Sequence, residues 1–144
     1  MQNYENDVIA WANEQAAFIR AGRFDLLDIE HIADEIEDVG KSEKRELRSR
    51  IAVLLTHLLK WQFQPERRGN SWQRTIKTQR KEIAAHITNT PSLKAEISNQ
   101  DWWESVWADT LMIATKETGL NFDDFPEECP WEYQDVVNPE FWPN

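Results

Sequence analysis

Between Ile29 and Leu59 the apolar residues Ile29, Ile32, Ile36, Val39, Leu47, Ile51, Leu54, Leu55, Leu58 and Leu59 recur at three- and four-residue intervals and barely lose phase across a polar interval. Helical geometry puts such positions on one face. A single straight helix over residues 28–63 would be ~54 Å long at 1.5 Å per residue. A chain of 144 residues collapsed into one domain has a diameter of only ~40 Å. The mismatch predicts a break, and Gly40, followed by the possible cap Ser42, is the place for it. The alternative is one helix that overhangs the domain and pairs with a second chain.

The flanking sequence is helical as well. Val8, Trp11, Ala12, Gln15, Phe18 and Ile19 mark a first helix over residues 4–21 with Gly22 as its stop, and Asp25 or Asp28 can cap the next. A loop over residues 64–70 holds Pro65 and Gly69. Ser71 is the expected cap of a further helix with Trp72, Ile76, Ile83 and Ile87 on its apolar face. Pro91 opens a last long helix that ends at Gly119, with a kink expected near residues 99–101. Beyond Leu120, four of the six prolines and several aromatics predict an extended, packed tail with one short helix over residues 132–137. The expected fold is all-α, a bundle of four to five main helices with a Pro- and aromatic-rich C-terminal tail, in a single domain over residues 1–144.

Charge decides which partners are reasonable. The net charge is −10, but residues 1–40 hold ten acids and two bases, residues 41–81 three acids and twelve bases, and residues 82–144 thirteen acids and two bases. Phosphate attraction needs a positive surface, so this balance disfavours nucleic acid and membrane surfaces everywhere except residues 41–81. No apolar run approaches the ~20 residues that span a bilayer, and the start of the chain lacks the pattern of a signal peptide. The expectation is a soluble, cytoplasmic protein. A lone cysteine, Cys129, forms no disulfide within the chain and leaves too few thiolates for structural zinc.

Three groups of residues could carry chemistry. His31, Asp34, Glu35 and Asp38 fall at i, i+3, i+4 and i+7, one helical face able to hold a divalent metal if another helix completes the shell. The commoner reading is a solvated face beside a buried one made by Ile29, Ile32, Ile36 and Val39. His57 sits in the most apolar stretch, where a neutral, hydrogen-bonded histidine is expected and a pocket acid or base is the sharper alternative. Lys60 to Lys81 interleaves Lys60, Arg67, Arg68, Arg74, Lys77, Arg80 and Lys81 with Trp61, Phe63 and Trp72. That pattern suits anions or nucleobases, although the same cations can meet the acidic flanks. Most of the eight tryptophans are expected in the core.

The stretches WANEQAAFIRAGRFDLLDIEHIADEIEDVGKSEKREL, LLTHLLKWQFQPERRGNSWQRTIKTQRKEI and PSLK, with FPEECPW and NPEFWP near the end, resemble the bacterial family called domain of unknown function 29, over about Tyr4 to Pro143. The resemblance implies an all-α bundle and carries over no catalytic residues. The phrases that spell it here include Glu35, His57, Trp72 and Arg80, for which capping and turn chemistry offer no reason, and Asp34 stands where the family pattern would place Glu.

These readings favour a non-enzymatic protein–protein interaction module, engaging a protein partner or a second copy of itself. The alternative is a metal-dependent hydrolase of phosphate compounds, with His31, Asp34, Glu35 and Asp38 toward the metal and His57 or Arg80 at the substrate. Nucleic-acid binding through residues 60–81 is the weaker alternative. As binding residues the sequence nominates Glu35, Trp61, Trp72 and Arg80.

Overall fold

The computed structural model describes all 144 residues. It is all-α, with no strand, and no helix is long and apolar enough to cross a membrane. Two compact units form, Met1–Glu43 and Lys44–Asn144.

In the first unit, α1 (Val8–Arg20) starts where the Asp7 carboxylate accepts from the Ala10 N–H at 3.0 Å, and it ends ahead of Gly22, whose φ of +74° a side chain would resist. Helix α2 (Ile29–Phe63) begins here, with Asp28 accepting from the His31 N–H through its side chain and the Ile32 N–H through its carbonyl. The break expected at Gly40 is not there: α2 runs unbroken for 35 residues. An interior glycine costs a helix only about 1 kcal/mol relative to alanine. A break would strand the end groups of two new termini, and no residue near Gly40 is a proline.

The second correction in this unit concerns the apolar stripe. Ile29, Ile36 and Val39, expected to be buried, are 69%, 67% and 66% exposed, with Ile32 half-buried among them. Residues 1–43 bury only Trp11 and Gln15. Periodicity identifies which side chains share a face, but it does not supply the element that covers it.

The second unit has a core of the usual kind. Leu47, Ile51, Leu54, Leu55, Leu58 and Leu59 of α2 are fully buried against Ile76, Ile83 and Ile87 of α3 (Asn70–Asn89) and Val106, Trp107 and Ala114 of α5 (Gln100–Thr118). Burying each such side chain contributes roughly 1.5–3 kcal/mol. Pro65 stops α2 and Pro91 stops α3, because the residue before a proline avoids helical geometry. Helix α3 starts at Asn70 after Gly69, so Ser71 lies inside the first turn rather than at the cap. The last long helix is divided as well as kinked. Pro91–Leu93 is a 3₁₀ turn, α4 spans Lys94–Ile97, and Asn99 then caps α5 by accepting from the Trp102 N–H. The tail is packed, with Phe125, Val136 and Pro143 buried, and its short helix α6 is Tyr133–Val136.

Only Trp11 and Trp107 of the eight tryptophans are fully buried. The others lie half-buried at the edges of packed surfaces, where an indole can bury its ring and leave its N–H near a polar partner.

Candidate functional site

In the first unit two of the nominated residues, His31 and Glu35, join an aromatic and acidic cluster. Tyr4 stacks on the His31 ring, with centroids 4.0 Å apart, and meets Trp11 edge-on at 4.8 Å. Its hydroxyl donates to Glu35 at 2.5 Å, which pushes the phenol up to about 12. Asp28 gathers three donors: the Trp11 indole N–H at 3.0 Å, the His31 ring Nδ1 at 2.7 Å and the His31 backbone N–H. Its own N–H is bound by the buried Gln15 at 2.8 Å. Glu5 stands 3.6 Å from the other His31 nitrogen. His31 and Glu35 are therefore engaged by Asp28 and Tyr4, while Asp34 and Asp38 project from the exposed surface.

The His31–Asp28 contact carries a pH dependence whose sign is fixed. Asp28 raises the His31 pKa, so the contribution of His31 is complete below the ordinary histidine range and is lost as pH rises through the raised value. His31 likewise lowers the Asp28 pKa, so that contribution is present above the ordinary aspartate range and is lost as pH falls through the lowered value. The cluster should be tightest between roughly pH 4 and roughly pH 6.5, the ordinary aspartate and histidine values, and should loosen as pH rises through the raised His31 midpoint. A proton-NMR titration of the full chain is expected to place that midpoint above ~6.5 and to lower it in Asp28→Asn. An unshifted wild-type midpoint would contradict the contact.

In the second unit His57 is half-buried and its Nδ1 donates to the Val53 carbonyl at 2.8 Å. Burial lowers its pKa, with Lys60 acting in the same direction, so the ring stays neutral near pH 7. Lys60 pairs with Glu117 at 2.7 Å and lies 5.9 Å from the Trp72 ring centroid, joining α2, α3 and α5. Arg68 donates to the Trp61 carbonyl and covers the Trp61 ring at 5.0 Å.

Arg80 is 4% exposed and meets no carboxylate. Its Nε donates to the Val136 carbonyl at 2.8 Å, one terminal nitrogen donates to the Phe141 carbonyl at 2.7 Å, and the Trp142 ring lies 5.4 Å from the guanidinium carbon. Trp61 packs on the same Trp142 at 4.7 Å. Arg80 is thus the latch of the C-terminal tail. Cations of residues 60–81 do meet acidic flanks where Lys60 finds Glu117, but Arg80 is answered by backbone dipoles. His57 is held by the Val53 carbonyl and Arg80 by the carbonyls of the tail, and Glu35 is committed to Tyr4.

Sequence reading missed a cavity of about 360 Å³ between α4, α5 and the tail. Its walls are Trp103, Trp107, Trp131 and Tyr133, and Glu104, Glu127, Glu128 and Glu132 stand around it; no Lys, Arg or His lines it. Hydrogen bonds fix two of the indoles, Trp103 to the Ile97 carbonyl and Trp107 to that of Pro126. The Cys129 thiol also lines the cavity, and burial raises its pKa, which keeps it protonated and a poor nucleophile. The clustering of tryptophan and glutamate over residues 102–107 and 127–133 was the available signal, but only folding brings the two segments together.

The family model for the domain of unknown function DUF29 matches residues 3–142. The chain belongs to the DUF29 family. Neither a curated protein nor a solved structure matches it. The DUF29 match covers the Tyr4 cluster, the Arg80 latch and the aromatic cavity alike.

Proposed function

We propose that this protein is a non-enzymatic interaction module that pairs with a second copy of itself along α2. The observation that carries this reading is the uncovered stripe of Ile29, Ile36 and Val39, about two-thirds exposed in one sector of a helix. Isolated exposed apolar side chains are ordinary. A run at i, i+7 and i+10 with half-buried Ile32 between is the pattern of a helix that lays one face on a partner.

Charge selects the partner. Residues 29–40 carry five acids and no Lys or Arg, and residues 41–50 carry five bases and two acids. Because α2 is continuous across this change of sign, an antiparallel crossing of two copies near Gly40 brings the acidic segment of one alongside the basic segment of the other. A parallel crossing would oppose like charges.

Sedimentation equilibrium tests the proposal. The wild-type chain is expected to sediment as a dimer that loosens with added salt. Ile36→Glu, at an exposed position that leaves the fold intact, should weaken pairing by at least tenfold, roughly 1.4 kcal/mol. A monomeric wild type at every accessible concentration would overturn the reading.

A further inference from the structure

We propose that the cavity between α4, α5 and the tail is a binding site for an alkylammonium or guanidinium group, the charged end of a basic side chain or of a free polyamine. It is a different surface from the α2 stripe and stands or falls independently of self-association.

The cavity combines the two features that recognise an organic cation. Its walls offer the rings of Trp103, Trp107, Trp131 and Tyr133, two pairs of which meet edge to face: Trp107 with Trp131 at 6.1 Å and 89°, and Trp103 with Tyr133 at 6.0 Å and 61°. Rings set at steep angles give a cation several negative π-faces at once, with tryptophan the strongest of them. Three of the four rings are half-buried, so part of their surface stays open to a ligand.

The surrounding carboxylates set the sign of the ligand. Glu104, Glu127, Glu128 and Glu132 are exposed, and none of the chain's salt bridges involves them. The contrast with Trp61, Trp72 and Trp142 is informative. Each of those rings already has a cation of this chain beside it, respectively Arg68, Lys60 and Arg80. The cavity has aromatic walls of the same kind, more acids, and no internal cation. A buried anion would be repelled by four carboxylates, and a neutral apolar ligand would gain nothing from them. A volume of about 360 Å³ is at the small end for ligand pockets and suits one side-chain-sized group.

Titration calorimetry and tryptophan fluorescence on the full chain test the assignment with three probes. These are spermidine, a short lysine-containing peptide blocked at both ends, and the same peptide with its lysine acetylated. Saturable binding of spermidine, the lysine peptide or both is expected, and at least tenfold weaker binding of the acetylated peptide. Preference for the peptide would point to a protein partner and preference for spermidine to a free polyamine. Trp131→Leu and the double variant Glu128→Gln/Glu132→Gln should each weaken binding at least tenfold, whereas Glu140→Gln, an exposed acid outside the cavity, should not. The glutamine variants change no packed side chain, so they keep the test valid even if Trp131→Leu folds poorly. Absence of binding by all three probes overturns the assignment. So does equal binding of the acetylated peptide, or affinity unchanged in the glutamine double variant.

Discussion

Arg80→Ala is expected to lower the unfolding free energy by about 3–5 kcal/mol, since each of its two charge-assisted hydrogen bonds contributes roughly 1.5–3 kcal/mol. The loss has two parts. The carbonyls of Val136 and Phe141 give up their donors, and the cavity left beneath Trp142 undermines the packing of the tail on α3. A drop of this size corresponds to roughly 10 °C or more in melting temperature for a unit of about 100 residues. Urea unfolding followed by tryptophan fluorescence measures it, and limited proteolysis should cut first near residues 137–141. Arg80→Lys is expected to recover only part of the loss, because an ammonium lacks the planar fork that reaches two carbonyls at once. Arg80→Ala at wild-type stability would mean that the tail is held by its apolar contacts alone. The opposing force is already visible: burial lowers the Arg80 pKa, so the latch works against its own desolvation.

Trp11→Ala is expected to have an effect of similar size confined to the first unit. Trp11 is the only buried hydrophobic residue among residues 1–43, and its indole N–H is bound to the Asp28 carboxylate that also holds His31. Truncating a buried tryptophan costs roughly 3–5 kcal/mol. A segment this short has no second core to fall back on. Hydrogen exchange read by mass spectrometry should show the amides of α1 exchanging at least roughly a hundredfold faster, since each ~1.4 kcal/mol is a factor of ten. Amides of α3 and α5 should keep their wild-type rates. Unchanged exchange in α1 would show that the unit is held by something other than the Trp11–Asp28–His31 cluster.

Much of the fold was legible in local chemistry. Asp28 starts α2, Gly22 and Gly119 end α1 and α5 with φ of +74° and +77°, and Pro65 and Pro91 punctuate the rest. These devices act within four residues along the chain, so sequence spacing reveals them. Two local inferences failed: Ser71 is not the cap of α3, and the break at Gly40 gave too much weight to a glycine whose cost of about 1 kcal/mol a long helix absorbs.

The candidate sites were less legible, because what a side chain does depends on what lies across from it. The basic neighbours of Arg80 suggest a substrate or anion ligand, but two backbone carbonyls more than fifty residues away claim it. The helical spacing of Glu35 suggests a metal ligand, but Tyr4 has its carboxylate. Trp103, Trp107, Trp131 and Tyr133 were a run of aromatics and a tail until folding set them around one cavity.

The sequence by itself determined that the chain is helical, where most helices start and stop, which residues share a face, and that its charge is segregated into acidic ends around a basic middle. Those properties follow from periodicity, capping and composition, which are local or additive along the chain. Only the tertiary structure decided which faces are covered and which cations are already answered. It left the Ile29–Val39 stripe bare, turned Arg80 inward, and gathered four rings and four acids around one cavity. Burial and pairing join segments distant in sequence, and no local pattern encodes which of them will meet.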